Sequence, residues 1–412
     1  MEAIDGERAR AFVLAKQGLG AVPGPSTVLE VVEATGGVYG TAPTCYLACA
    51  ARLDGFRVAD LDHELYTRRS LVRLRCMRGS AYIEPADDLP AIFAATRDER
   101  DLARVVKAAG IGEAEYGRLA AAIEAALRGR EPATVAEIRE LIGDPTKALS
   151  HVVGLMGRQG RLARATVRGG WKSDVYAYAL WEEWVGEPLS EAEPVDARAQ
   201  LARRYLAAYG PASAEDLRWW AGWRAGETRA ALAALDDEVA TVDVDGSPAL
   251  VLASETEALA ATEPDAGRGT RLLPVWDSYY MGYRDRSRQV RAQDYASVYD
   301  KAGNGTSVGG GGRRGRGRLG AGRGGRRRGG GARGALLGRG SGVVERGGGG
   351  GRAHRDDARR ERRARGARRA PRPAGRRRPQ RLPRSDPAGA YFFLTAIETL
   401  AMAVATAPSR TR

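Results

Sequence analysis

The sequence is poor in the residues that carry disulfide and metal chemistry, with three cysteines and three histidines among 412 residues. Cys45, Cys49 and Cys76 include no Cys-x-x-Cys pair, which argues against a disulfide framework and against a zinc site. Cys45 and Cys49 stand one helical turn apart and read as small core residues. The opening residues, Met1-Glu-Ala-Ile-Asp-Gly-Glu7, lack the basic and apolar regions of a secretion signal. Thr35-Gly-Gly-Val-Tyr-Gly40 is not a phosphate loop, because no Gly-Lys-Ser/Thr follows and helical text precedes it. His63 lies among Asp60, Asp62 and Glu64, a pattern that suits a solvated helix start better than a catalytic His–Asp pair. Asp87 and Asp88 suit the positive end of a helix dipole. The sequence thus shows no metal site and no organic cofactor site. The apolar run at 390–407 is interrupted by Glu398 and is marginal for a membrane span of ~20 residues, so no membrane partner is expected.

The formal charge of +14 is concentrated in one place. Residues 311–386 hold 26 arginines, no lysine and 5 acidic residues, leaving 39 basic and 46 acidic residues elsewhere. The folded body is therefore mildly acidic, and any nucleic-acid contact must come from a local basic surface. Glycine makes up 22 of the 43 residues from 309 to 351. From 309 to 386 there is no Phe, Tyr, Trp, Lys, Ile, Asn, Thr or Met. Such text cannot bury a core. A basic linker or an RGG-like tail is one reading, although RGG tails usually interleave aromatics. Translation out of frame from GC-rich DNA explains the composition better and is the expectation here. The wider preference for Arg and Ala over Lys and Ile fits a GC-rich genome and a bacterial cytoplasmic protein.

What is present is a repeated pattern. In residues 134–181, Thr134-Val-Ala-Glu137 forms a capping box. Ile138, Leu141 and Ile142 then recur at helical spacing, and a second helix over 146–158 carries Leu149, Val152, Val153 and Met156 on one face. Two β-rich runs at 161–167 and 175–181 flank a Gly-Gly turn. With a helix over 113–128 in front, this is the order of a winged helix, whose last helix commonly enters the DNA major groove. Similar patterns run through 1–98, with a capping box at Thr27-Val-Leu-Glu30 and a hairpin at 71–84, and through 189–262, with Ser213-Ala-Glu-Asp216 and a hairpin about Asp245-Gly246. Trp219, Trp220 and Trp223 read as core packing, with base stacking the alternative.

The expected architecture is mainly α with small β hairpins (α+β): winged helices at 1–98, 99–188 and 189–262, the start of a β element at 263–308 that is then disrupted, Gly/Arg-rich text at 309–389 and an apolar tail at 390–412. Lys147, His151, Arg158, Arg161, Arg164, Arg168 and Lys172 lie on the second unit's helix and wing, and Arg78 on the first hairpin. They are the candidate contacts to double-stranded DNA, with a solvated basic face as the alternative.

Four stretches carry a family resemblance over about residues 1–308. They are Cys45-Tyr-Leu-Ala-Cys-Ala-Ala-Arg-Leu53, Met77-Arg-Gly-Ser-Ala-Tyr82, Gly210-Pro-Ala-Ser-Ala-Glu-Asp-Leu-Arg-Trp-Trp-Ala-Gly222 and Leu272-Leu-Pro-Val-Trp-Asp-Ser-Tyr-Tyr-Met-Gly-Tyr-Arg-Asp-Arg286. In this order they resemble the bacterial AlkZ/YcaQ-type winged-helix proteins. Characterised members of that family are DNA glycosylases that remove alkylated bases and unhook some crosslinks, using a Gln-x-Gln or Gln-x-Asp pair. The resemblance aligns that pair with Tyr39-Gly40-Thr41, in a turn over 38–43, so both side chains differ. It implies an alkylated or crosslinked duplex as partner and Tyr39 and Thr41 as the candidate catalytic pair. Cleaving an N-glycosidic bond passes through an oxocarbenium-like state that needs a nearby negative dipole or charge and a positioned water. Tyr39 and Thr41 offer only hydroxyls, able to orient water but weak as bases near neutral pH. The alternative is a non-enzymatic DNA-binding regulator or damage-recognition protein.

Overall fold

The computed structural model describes residues 3–20, 24–98, 101–186, 189, 193–264, 270–299, 303 and 308–311. All of them belong to one of the chain's two compact units; the other, Gly322–Ala390, lies outside the described residues. The frameshift reading from residue 312 onward and the apolar tail lie outside them as well.

The local grammar of the second block shows how the sequence builds its elements. Glu137 N donates to the Thr134 hydroxyl at 3.2 Å while Thr134 N donates to the Glu137 carboxylate at 2.6 Å, closing a reciprocal capping box. The helix Val135–Ile142 that this box starts ends at Gly143, whose φ of 62° is the left-handed conformation a helix C-terminus favours for glycine. The next helix, Leu149–Arg158, begins three residues later than its apolar spacing suggests. Asp144 and Thr146 explain the delay: each accepts a hydrogen bond from a backbone N–H two residues on, holding 144–148 in turns. With Glu113–Leu127 these helices bury Leu119, Ile123, Ile138, Leu149, Val153 and Met156 in a core of their own. The sheet behind them has Val175–Leu180 at its centre, paired antiparallel with Leu162–Arg168 on one side and Ala133–Thr134 on the other.

The first block repeats that strand order. Ala81–Pro85 is central, flanked by Leu71–Arg75 and by the two-residue strand Val38–Tyr39. Its helices are Val28–Ala34, Thr44–Ala50 and Val58–Asp62, the last continuing as a wider π-helical stretch, His63–Arg68. The capping box expected at Thr27 is shared: Thr27 accepts from Glu30 N, but the Glu30 carboxylate is taken by Ser26. One face of this sheet, with Val38, Leu71 and Ile83, packs on Val31, Cys45, Cys49 and Leu61. The other face, with Val72, Leu74 and Tyr82, joins a cluster shared with the helices Leu89–Thr96 and Pro194–Tyr209. The strand Leu71–Arg75 is thus covered from both sides.

The third block has the helices Pro194–Tyr209, Ala214–Ala221 and Ala225–Leu235 and the hairpin Val239–Val244/Ser247–Leu252. A third strand comes from the start of the chain, where Ala3–Ile4 runs parallel to Val239–Val244. Helix Gly6–Lys16 follows it and buries Ala9 and Phe12 against this hairpin. Residues 3–16, read from sequence with the first unit, therefore pack on the third block. Beyond it, Thr270–Leu273 pairs with Val308–Gly311, so the sheet extends three residues into the glycine-rich segment.

Candidate functional site

The turn 38–43 is fixed by its backbone. Val38 and Tyr39 pair with Ile83 and Tyr82, and Gly40 N donates to the Ala81 carbonyl at 2.8 Å. The approach is close enough that a Cβ at Gly40 would stand 3.1 Å from the Tyr82 carbonyl carbon. Gly37, at φ 100°, has no room either, since a Cβ there would fall 2.0 Å from the Glu84 carboxyl. The Gly40 carbonyl accepts from Arg73 Nε at 3.2 Å and from the Tyr176 hydroxyl at 3.1 Å, and that hydroxyl in turn accepts from Ala42 N at 3.2 Å. Burial raises the Tyr176 pKa, which keeps the phenol neutral and able to donate and accept at once. One side chain of the second block thus clamps the candidate turn of the first.

Within this turn the two sequence-predicted residues part company. Thr41 lines a cleft of about 380 Å³ between the blocks, together with Thr134, Arg164, Asp174, Tyr176 and Tyr178. That volume lies within the range of small-ligand sites. Tyr39 does not line it. Its half-buried ring lies between Tyr82, edge-on at 5.6 Å, and Trp276, tilted at 5.3 Å. Trp276 has a φ of 58°, a left-handed conformation that is strained for a bulky side chain. Its neighbours hold it there. Asp277 takes two hydrogen bonds, of 2.7 and 2.8 Å, from Arg52, both side chains being fully buried. Ser278 donates to the Gly37 carbonyl at 3.0 Å.

The basic residues expected to meet DNA fall into three situations. Arg158 and Arg164 converge with Arg75, a residue the sequence reading did not select. Burial, then the nearby Arg164 and Arg158 guanidiniums, lower Arg75 to about 10. Arg164 lies 4.5 Å over the Tyr176 ring, at the cleft. Others are engaged within the fold: Arg161 pairs with Glu124 at 2.7 Å and Arg168 donates to the Pro132 carbonyl at 2.9 Å. Lys172 sits 5.4 Å over Trp171, which packs on Tyr46 of the first block. Lys147 and His151 are exposed near the start of the helix Leu149–Arg158, whose far end carries Arg158. Arg78 is exposed 3.8 Å over Trp219, a half-buried ring that Arg286 also approaches. Trp220 and Trp223 are buried in the core, Trp223 donating to the Ala95 carbonyl.

Sequence reasoning missed Arg73, Arg75, Asp174, Tyr176 and Trp276. Arg73 and Arg75 alternate along Leu71–Arg75 and so share a face, which was a usable signal. Behind the candidate turn, burial lifts the Glu84 carboxyl to about 8, against the pull of Arg204 at 2.8 Å. Among the described residues no group of three His, Cys, Asp or Glu side chains is placed to hold a metal ion, and no helix is long and apolar enough to cross a membrane.

Comparison with known proteins places the chain. The structure of the DNA glycosylase AlkZ from Streptomyces sahachiroi is similar with a TM-score of 0.65 at 24% identity, over 76% of this chain and 87% of that one. An interstrand DNA cross-link repair glycosylase from the same organism is 34% identical over 113 residues, 27% of this chain. That match spans only 30% of the relative's own length. Residues 29–328 match the family described as DNA glycosylase AlkZ-like. The chain therefore belongs to the AlkZ-like DNA glycosylase family.

Proposed function

We propose that this protein is a DNA glycosylase that releases alkylated or crosslinked bases from duplex DNA in the bacterial cytoplasm. The observation that carries this reading is the cleft at Thr41. The turn that the family resemblance marks as catalytic is clamped by Tyr176 and opens beside Arg164, with Arg75 and Arg158 close by. We infer winged helices at 1–98, 99–188 and 189–262, because each holds helices followed by a hairpin and the first two share one strand order. Arg75, Arg158 and Arg164 then anchor phosphates at the seam, where converging guanidiniums suit a polyanion. Lys147, His151 and Arg78 extend the basic surface.

An N7-alkylated purine is cationic and leaves readily, so modest assistance from the site suffices. The Thr41 hydroxyl can hold that water. The test is release of N7-methylguanine from a duplex, with binding followed at two salt concentrations. Release above the protein-free rate, weakened by Thr41→Ala without loss of binding, supports the reading; binding without release contradicts it. Tyr39 favours a second reading. Its ring is engaged by Tyr82 and Trp276 rather than turned into the cleft, as suits a protein that recognises damage without cutting.

A further inference from the structure

The cleft contains a charge that neither Tyr39 nor Thr41 supplies. Asp174 ends the turn between the paired strands Leu162–Arg168 and Val175–Leu180 and is the one carboxylate among the residues lining the cleft with Thr41. An aspartate in such a turn usually serves the backbone by accepting a nearby N–H. Here Ser173 does that work, accepting from Val175 N at 3.2 Å. Nor is Asp174 neutralised. The cation that lines the same cleft, Arg164, lies over the Tyr176 ring, and among the described residues the Asp174 carboxylate has no ion-pair or hydrogen-bond partner. It is an exposed, unpartnered side chain at a cleft whose other polar side chains are hydroxyls and a guanidinium.

We propose that Asp174 is the carboxylate of the active site, carried by the second block's hairpin and acting on a nucleotide held against Thr41; this rests on the glycosylase reading above. A full negative charge beside the sugar stabilises the oxocarbenium-like state more than a hydroxyl dipole can. The step balances with water as the only co-reactant. The bond between the sugar's anomeric carbon and the base nitrogen breaks, and its electron pair goes to the base, neutralising the alkylated purine's positive charge. Water oxygen bonds to the anomeric carbon, and the proton it sheds passes to the Asp174 carboxylate and on to solvent. Thr41 holds the water from the other side. The negative dipole or charge that the family pair supplies from the first block thus comes here from the wing of the second.

The experiment is single-turnover release of N7-methylguanine from duplex DNA by the full chain and by Asp174→Asn, with DNA affinity and Tm measured on the same samples. General base and charge contributions of this kind are worth roughly 10²–10⁴-fold. Asp174→Asn should slow release about 100-fold or more, with Tm unchanged and binding unchanged or tighter, since a negative charge facing DNA is removed. Asp174→Glu should recover part of the loss. Wild-type release matched by Asp174→Asn overturns the assignment and leaves the glycosylase reading standing. Loss of release only in step with loss of binding also overturns it. No release by the wild type overturns both.

Discussion

The first two blocks share a strand order and differ in what covers the sheet. In the first, Leu71–Arg75 and Ala81–Pro85 are packed on both faces, by that block's own helices and by the third block. In the second, one core serves the helices and the inner sheet face. Its other face is buried as well, with Ala163, Ala177 and Ala179, and Ala163 joins the cluster that holds Val72 and Leu74; the rim of the sheet, with Arg164 and Tyr178 half-exposed, lines the cleft. The same motif therefore yields a sheet flanked by large side chains in one place and, in the other, a sheet with small buried alanines on one face and a rim that lines the cleft. The candidate site lies where they meet: the first sheet fixes the turn 38–43, and the second brings Tyr176, Arg164 and Asp174 to it.

Breaking the first block's packing should cost most. Asp277→Ala leaves Arg52 charged and fully buried without its partner, a change worth about 3–5 kcal/mol. Denaturant unfolding should show that loss, and less than about 1 kcal/mol would mean that this lock is not structural. Leu149→Ala in the second block should cost about 2–5 kcal/mol. Its effect on amide exchange should be confined to residues 101–180, because its contacts lie in that block's own core. Equal loss of protection along 71–85 would dissolve the distinction drawn between the blocks.

Another effect, smaller per pH unit, follows the Glu84 carboxyl. Burial lifts the Glu84 carboxyl from an ordinary value near 4.5 to about 8. A raised carboxyl stabilises the fold fully below its unfolded value, and that contribution is lost as pH rises through the folded one. Relative to Glu84→Gln, the wild type should therefore lose up to about 1.4 kcal/mol per pH unit between about pH 5 and 8. Parallel stability profiles for the two proteins would show that Glu84 stays ionised beside Arg204. Least costly to the fold is Arg164→Gln. It should shift stability by less than about 0.5 kcal/mol and reduce the salt slope of DNA binding by about 0.9. An unchanged slope would remove Arg164 from the phosphate contacts.

Local features of this fold were legible in the sequence, and pairings between distant residues were not. Thr134/Glu137 and Ser213/Asp216 announce their helices because the capping groups lie three residues apart. The Gly-Gly and Asp-Gly turns likewise mark their hairpins. The strands Val38–Tyr39 and Ala133–Thr134, of two residues each, carry no periodicity. They exist because a distant central strand offers them hydrogen bonds. The strand Ala3–Ile4 finds its partner some 240 residues on, at Asp243 and Val244. For the site, alignment to a family motif pointed to Tyr39 and Thr41. Only the fold shows that Thr41 faces the cleft, that Tyr39 packs against Trp276, and that Tyr176 and Asp174 arrive from another block. Arg161 and Arg168 read as free cations because Glu124 and the Pro132 carbonyl, their partners, are 37 and 36 residues away.

The central claim is that the seam between the first two blocks cleaves glycosidic bonds. The most direct measurement is N7-methylguanine release from duplex DNA by the wild-type chain beside Thr41→Ala, with binding followed in the same samples. Release well above the spontaneous rate is expected, reduced by the substitution while affinity holds. Tight, salt-sensitive binding with release no faster than in protein-free DNA would contradict it and make this a protein that recognises damage without removing it.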